Sequence, residues 1–283
     1  MLRRDGLIIP FAAFDGKRWT NAWPAPALEL TVPITLRGVP SRWWGPTRPL
    51  DLWQAWTVAG PQSVRIEQPD WAEVHCVRQI GLRSDYRPAG EAPPRTAQPY
   101  PKDGLAVSPP RQVDRIAMIP PESGEMRALL PVVHAAFNAA ERRVERDHGH
   151  PVPRRERDGR APDVEAVYAA GDQPRVYYVE AIRRYRQLWQ SKNECAAIGF
   201  ATGWFVRDGA GVRSLETIVD VLRFDRGGAS YMLPLGAMRL AGKSYWLAQF
   251  SGWDHERYVV VEIKPRAVEA VLNVWGGSCQ SQQ

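Results

Sequence analysis

Short stretches of alternating apolar and polar residues, separated by glycine-containing turns, fill residues 164–275 and constrain the fold more than any other feature of this sequence. Successive side chains of a β-strand point to opposite faces, so each stretch can bury one face and expose the other. The segments 208–211, 225–228 and 241–243 supply turn residues between the stretches. The C-terminal half is therefore expected to be an antiparallel meander of strands.

Two segments of this half are ambiguous. Apolar residues in 175–189 also match a helical period, but its Tyr and Val content favours a strand. The segment 268–274 could instead be a short helix, because Pro265 precedes it and Gly276 follows it. We predict strands for both and keep the helical alternative open.

The segment 124–146 has the period of a helix. Its apolar residues recur at spacings of three and four and form one stripe; they are Met126, Leu130, Val133, Phe137, Ala140 and Val144. Ser123 is a suitable N-cap because its hydroxyl can accept a bond from a free backbone N–H. Pro131 either lies in the first turn of a helix that begins near Ala128 or kinks a longer one.

The N-terminal region also shows strand patterns. Asp15-Gly16 is a dipeptide that accepts the positive φ angles of a type I′ turn, and aromatic and aliphatic residues flank it, which predicts a hairpin. Further strands are predicted at 28–36, 51–58, 63–66 and 71–80. We therefore expect an α+β protein that is β-dominated, with mostly antiparallel sheets and one main amphipathic helix.

A proline-rich stretch, 84–124, separates the two β regions. Proline fixes φ and removes a backbone donor, so most of this stretch should be loop or polyproline II, with one short strand at 115–119. The predicted organisation is a Trp-rich β region at 1–83, a connector at 84–124, and the helix with the meander at 125–283. A sheet shared across the connector would make the chain one domain.

Composition limits the class of protein. The 283 residues are 44 % hydrophobic and 24 % charged, which is typical of a globular chain and not of a disordered one. No apolar run reaches the roughly 20 residues that a membrane-spanning helix needs, so we expect a soluble protein. The given chain shows no signal peptide, which fits a cytoplasmic protein or an exported one whose signal has been removed.

The three cysteines, Cys76, Cys195 and Cys279, are too few for a disulfide scaffold. We interpret them as free thiols, and the alternative is one Cys195–Cys279 bridge in an exported protein. Spacing leaves both possibilities open.

The net charge of +6 raises the question of polyanion binding. The excess of basic over acidic residues is +2, +1, +2 and +1 in 1–71, 72–124, 125–190 and 191–283. A nucleic-acid binder usually concentrates its positive charge on one face. An even excess gives no specific nucleic-acid signal.

Tryptophan is the most unusual part of the composition. Of twelve tryptophans, seven fall within residues 1–71. An indole ring can stack on sugars, prolines or cations and also donates one hydrogen bond. The candidate ligand-binding residues are Trp19, Trp23, Arg42, Trp43, Trp44, Trp53 and Trp56. The alternative interpretation is that these indoles fill the cores of β-sheets.

Catalytic and metal-binding patterns are weak. Asp254 and His255 lie in a predicted loop between strands, but neighbours along a strand point to opposite faces and would not pair. His148 and His150 form a short His-x-His at the end of the predicted helix, where a histidine also favours the negative end of the dipole. No phosphate-binding glycine motif occurs, and we predict no cofactor.

These observations lead to three functional hypotheses. The first is a non-enzymatic binding protein that uses the Trp- and Arg-rich region for a glycan or an extended peptide. The second is a hydrolase built on His255 and Asp254, or on a metal held by His148 and His150. The third is polyanion binding through the arginine clusters at 142–146, 154–157 and 183–186. The oligomeric state is left open.

Overall fold

The computed structural model describes residues 1–22, 35, 52–57, 59–74, 77–90, 102–157, 159–185, 197–223, 229–252 and 255–278. The chain forms two compact units. Unit 1 consists of Met1–Arg115, Tyr231–Ile263 and Glu269–Gln283, and unit 2 consists of Ile116–Ser230 and Lys264–Val268. The domain boundaries inferred from the sequence follow a different division of the chain and stay a prediction.

Unit 1 contains an antiparallel sheet of seven strands among the described residues. In chain order the strands are β1 Leu2–Arg3, β2 Leu7–Ile8, β5 Trp53–Thr57, β6 Gly60–Val64, β7 Ile66–Val74, β8 Val77–Ser84 and β9 Lys102–Val107. Their spatial order is β6-β5-β9-β1-β2-β8-β7, so strands distant in sequence become neighbours.

Two further sheets belong to unit 1. One is the hairpin of β3 Ala12–Phe14 and β4 Trp19–Asn21. The other has four strands in chain order: β15 Tyr231–Leu240, β16 Lys243–Ser251, β17 His255–Ile263 and β18 Val268–Ser278. The buried core of unit 1 includes Leu7, Phe11, Leu105, Leu247 and Val260, and the partly buried Phe14 and Trp19 of the hairpin pack against it.

The structure corrects several local predictions in unit 1. The hairpin at Asp15-Gly16 is confirmed, but the Asp15 carboxylate accepts the backbone N–H groups of Lys17 and Arg18 in a longer loop than a type I′ turn. The prediction of a single strand at 71–80 is wrong. The chain reverses there, and Val74 pairs with Val77.

The proline-rich stretch is not loop throughout. Strand β9 lies within it and pairs with both β1 and β5 near the middle of the seven-stranded sheet. The prolines of this stretch flank Lys102–Val107 and leave its backbone donors intact, which permits a strand in this position. Within 115–119, the strand is β10 Ala117–Met118. The strand predicted at 28–36 lies outside the described residues except for position 35.

Unit 2 is one helix packed on one sheet. The sheet is antiparallel and runs β10, β11 Asp163–Ala170, β12 Arg175–Arg184, β13 Ala197–Asp208 and β14 Gly211–Arg223 in both chain and spatial order. The strands predicted at 175–189 and 268–274 are confirmed where they are described, at β12 and β18.

The predicted helix is present as α1 Gly124–His148, followed by the short α2 Arg154–Arg157. The Ser123 hydroxyl accepts a 3.0 Å bond from the backbone N–H of Met126, which confirms the N-cap. The helix begins at Gly124 and continues through Pro131, so a start near Ala128 is wrong. The buried residues of α1 are Met126, Leu129, Val133, Phe137, Ala140 and Glu141.

The structure confirms the β-dominated α+β fold with mostly antiparallel sheets and one main helix. No helix in the described part of the chain is long and apolar enough to cross a membrane.

Candidate functional site

Unit 1 contains a partly open cavity of about 120 Å³. Its wall comes from strand β2, the hairpin β3–β4 and the strands β5, β9, β15 and β16. Buried apolar side chains that line it include Phe11, Trp53, Leu105, Met238, Leu240 and Leu247. A mostly apolar concavity with a few polar groups is the common form of a small-molecule site.

Two of the predicted ligand-binding tryptophans, Trp19 and Trp53, line this cavity. Trp53 lies on β5 and is only 5 % exposed, whereas Trp19 lies on β4 and is half-buried. They belong to different sheets, and the packing of the hairpin beside the seven-stranded sheet brings them to one concavity. We call this concavity the Trp19–Trp53 cavity.

Trp19 is held by aromatic contacts on two sides. Its ring centroid lies 5.5 Å from that of Tyr245 at an interplanar angle of 79°, and 5.3 Å from that of its cross-strand neighbour Phe14. Edge-on pairs of this kind place the positive ring edge against a negative ring face. Burial raises the pKa of the Tyr245 hydroxyl, so this ring stays neutral at physiological pH. The indole is therefore oriented before any ligand arrives.

Polar groups at the cavity come from the loop after β9. Ser108 and Arg111 line the cavity, and Arg111 is exposed. No carboxylate of the described residues lies within ion-pair distance of the Arg111 side chain, so its charge is available to an anion. Trp56 donates from Nε1 to the backbone oxygen of Arg111 at 3.1 Å and to Gln54 Oε1 at 3.2 Å, which ties this loop to β5. Sequence reasoning missed Arg111 because nothing in its local pattern connects it to the tryptophans.

The other predicted ligand-binding residues are placed as follows. Trp56 is half-buried beside the cavity and supports the 108–111 loop through the bond described above. Trp23, Arg42, Trp43 and Trp44 lie outside the described residues.

His255, a predicted catalytic residue, lies at the start of β17 and stacks on Trp275 with ring centroids 5.3 Å apart and planes at 10°. Trp275 is 58 % exposed. The imidazole also packs so closely on Gly252 that a Cβ there would overlap it. Asp254 lies outside the described residues, so its part in the hydrolase hypothesis stays a prediction.

The two histidines of the metal hypothesis face different surroundings. His148 is exposed at the end of α1, whereas the His150 side chain is only 1 % exposed. His150 Nδ1 lies 3.0 Å from both the backbone nitrogen and the backbone oxygen of Val152, and Nε2 lies 3.4 Å from the Tyr185 hydroxyl and 3.8 Å from Glu141 Oε1. Burial, followed by the charge of Arg157, lowers the pKa of His150. Among the described residues no three potential ligands come close enough to hold a metal ion.

Glu141 is the centre of a buried polar network that the sequence did not reveal. It accepts hydrogen bonds from the Tyr185 hydroxyl at 2.5 Å and from Arg183. Arg183 also donates to Asn138 Oδ1 at 2.6 Å and lies over the Phe137 ring at 4.7 Å from the centroid. Both charges are therefore paired and hydrogen-bonded, as burial demands. The only hint in the sequence is the position of Glu141 four residues after Phe137, on the buried side of the helix.

A second buried carboxylate lies in unit 1. Glu256 is fully buried on β17, accepts a 2.9 Å bond from Gln249 Nε2, and also accepts from the Tyr258 hydroxyl. Burial raises the pKa of Tyr258 well above its usual value. A Cβ at Gly276 would come within 2.9 Å of both Glu256 Cγ and Tyr258 Cε2, so these side chains occupy the space left by the glycine.

The arginine clusters of the polyanion hypothesis are largely engaged within unit 2. Arg183 pairs with Glu141, and Arg157 donates to Glu145 Oε1 at 2.7 Å. Arg143 donates to the backbone oxygen of Thr217, Arg146 donates to Asp147, and Arg184 donates to Asp163.

Comparison of the chain with protein-family models, curated proteins and solved structures finds no match.

Proposed function

We propose that this chain is a non-enzymatic binding protein and that the Trp19–Trp53 cavity holds a compact aromatic group whose carboxylate meets Arg111. The ligand is either a free aromatic acid or the C-terminal aromatic residue of an extended peptide. The observation that carries the proposal is the convergence of two tryptophans and one exposed arginine on a single apolar cavity.

The size and the lining of the cavity support one aromatic ring. Its volume is about 120 Å³, close to the roughly 150 Å³ of an apolar protein cavity that binds benzene. A glycan is a weaker candidate, because its hydroxyls would lose hydrogen bonds to water against an apolar wall. Of the two ligand classes expected from the sequence, the cavity favours the peptide.

Arg111 supplies the preference for an anion. Its guanidinium forms no ion pair with the described residues and can therefore pair with a ligand carboxylate. Because the guanidinium is exposed to water, this pair adds only modestly to the binding free energy. Exposed pairs contribute about 0.2–1 kcal/mol, which is up to roughly fivefold in affinity. The apolar wall therefore provides most of the affinity, and Arg111 provides selectivity.

Fluorescence titration with matched ligands tests the proposal. Phenylacetate is compared with its neutral analogue phenylacetamide, and a hexapeptide ending in Phe is tested with a free and with an amidated C-terminus. The Trp275→Phe variant is used throughout to remove the emission of an exposed indole outside the cavity.

We expect phenylacetate to bind better than phenylacetamide, and Arg111→Gln to remove this difference of about threefold. Arg115→Gln is the matched control, because Arg115 is equally exposed and does not line the cavity. Stronger binding of the free peptide than of phenylacetate identifies a peptide end as the ligand. No change in emission with any of the four ligands at millimolar concentration rejects the proposal.

A further inference from the structure

Strand β14 is the last strand of the five-stranded sheet in unit 2. It has 13 residues and pairs with β13 from Gly211 to Arg223, apart from one bulge at Leu215, and within the described chain its other side has no strand partner. Such an edge presents backbone donors and acceptors with which an incoming strand can pair.

The open side of β14 borders a groove. The groove has a volume of about 500 Å³ and lies between the C-terminal half of α1 and residues 217–221 of β14. Arg143 on the helix donates from Nη2 to the backbone oxygen of Thr217 at 2.8 Å, which identifies that carbonyl as one on the open side. Since backbone groups of alternate residues point the same way in a strand, those of Val219 and Val221 point to the groove as well.

The side chains on the exposed face of this edge form a short pattern. Exposed residues alternate here with the buried Thr217 and Val219; they are Glu216, Ile218 and Asp220. The side chain of Ile218 is 50 % exposed. Neither Glu216 nor Asp220 forms an ion pair with another described residue. The edge therefore presents one apolar side chain between two free negative charges.

We propose that β14 binds an extended peptide as an added strand, and that the peptide carries an apolar residue with a basic residue two positions away on each side. In such a pairing the apolar residue lies opposite Ile218, and the basic residues lie opposite Glu216 and Asp220. Directly opposed charges of opposite sign stabilise a strand pair, and main-chain bonds to the edge supply the remaining affinity. This site lies in unit 2 and is independent of the Trp19–Trp53 cavity.

A second copy of the chain is disfavoured at the same edge in the register centred on Ile218. In a two-fold antiparallel pair of β14 strands centred on Ile218, Glu216 of each copy would face Asp220 of the other. Like charges directly opposed in a sheet are destabilising. The charge pattern thus selects a basic peptide over self-association.

The test uses the full chain and a dye-labelled peptide, acetyl-Thr-Lys-Thr-Val-Thr-Lys-Thr-amide, with binding measured by fluorescence anisotropy. Two comparison peptides carry Glu in place of both Lys, or N-methyl groups on alternate amides. We expect the Lys peptide to bind about tenfold more tightly than either, because the first comparison reverses the charge pairing and the second blocks the main-chain bonds.

The variant Glu216→Lys/Asp220→Lys should invert the preference between the Lys and Glu peptides. The control, Glu122→Lys/Asp172→Lys, changes the net charge equally at exposed positions of unit 2 outside the groove, and should leave the preference unchanged. Circular dichroism verifies that both variants keep the sheet. Equal affinity for all three peptides, absence of binding, or a dimer in sedimentation that dissociates in Glu216→Lys/Asp220→Lys would each overturn the proposal.

Discussion

The Tyr185 hydroxyl donates a 2.5 Å hydrogen bond to Oε1 of Glu141, and both side chains are buried. Burial, the hydrogen bond to Glu141 and the charge of Glu141 raise the pKa of Tyr185 well above its usual value, so the phenol keeps its proton and donates at physiological pH. The bond is one contact of the buried polar network around Glu141, which also includes Arg183 and Asn138. Because a buried carboxylate depends on every donor it has, the fold should be sensitive to changes at this contact.

Gly199 allows the Tyr185 hydroxyl to occupy this position, because a Cβ at Gly199 would overlap Tyr185 Oη. We expect Gly199→Ala to lower the free energy of unfolding by about 1–3 kcal/mol through overpacking. Tyr185→Phe should cost about 1–3 kcal/mol by removing a donor to Glu141. Urea unfolding of both single variants and the double variant should give less than additive losses, since the Phe side chain relieves the overlap. Strict additivity would show that the two sites do not interact.

His150 should make stability depend on pH. Burial lowers its pKa below 6.5 in the folded chain, so the unfolded chain binds a proton more readily. The contribution of neutral His150 to the free energy of unfolding is thus complete above the pKa of the unfolded state, about 6.5. It is lost as pH falls through the lower pKa of the folded state. His150→Gln should reduce the fall in unfolding free energy between pH 7.5 and pH 5.5, whereas His148→Gln, at an exposed position, should not. Equal pH dependence in the two variants contradicts this prediction.

Two glutamates of β17 should differ in their contribution to stability. Glu256 is fully buried with Gln249 and Tyr258 as donors, whereas Glu262 pairs at 3.1 Å with Lys243, whose side chain is half exposed. We expect Glu256→Ala to cost about 3–5 kcal/mol, because it leaves buried donors unsatisfied. Glu262→Ala should cost less, about 1–2 kcal/mol, because Glu262 is also largely buried but the Lys243 that it leaves unpaired is half exposed to water. Thermal unfolding followed by circular dichroism distinguishes the two, and similar losses would contradict the ranking.

Filling the Trp19–Trp53 cavity should block binding without harming the fold. Ala13 lines the cavity from the hairpin and is half-buried. Ala13→Leu should weaken phenylacetate binding more than tenfold while the midpoint of urea unfolding stays within a few tenths of a molar of the parent value. Ala59→Leu, at an exposed turn away from the cavity, is the control. Unchanged affinity in Ala13→Leu would place the ligand elsewhere.

The local patterns of the sequence predicted the local elements. The stripe from Met126 to Val144 and the hydroxyl of Ser123 define α1 and its start, because helix periodicity and capping depend on residues only a few positions apart. The alternation after residue 164 likewise predicted strands β11 to β14 of unit 2 and the four-stranded sheet.

Long-range relationships could not be predicted in the same way. Strand β9 joins β5 to β1 although both are more than forty residues away, and it is this pairing that brings Leu105 and the loop with Arg111 to Trp53. The reversal between Val74 and Val77 was missed because neither register of 71–80 alternates cleanly. Glu141 was missed because a single charged residue on a helix is usually solvent-exposed, and its partners come from another element.

The position of unit 2 within the chain has a consequence for synthesis. Unit 1 is interrupted at Arg115 and resumes only at Tyr231. Its core joins Leu7 and Phe11 to Leu247 and Val260, so this core cannot close on the ribosome until all of Ile116–Ser230 has been translated. Unit 2 has its own core and its strands pair with their sequence neighbours, so it can fold first. Until unit 1 is complete, the apolar faces of its early strands remain exposed. During synthesis, those N-terminal strands are the part of unit 1 most exposed to aggregation.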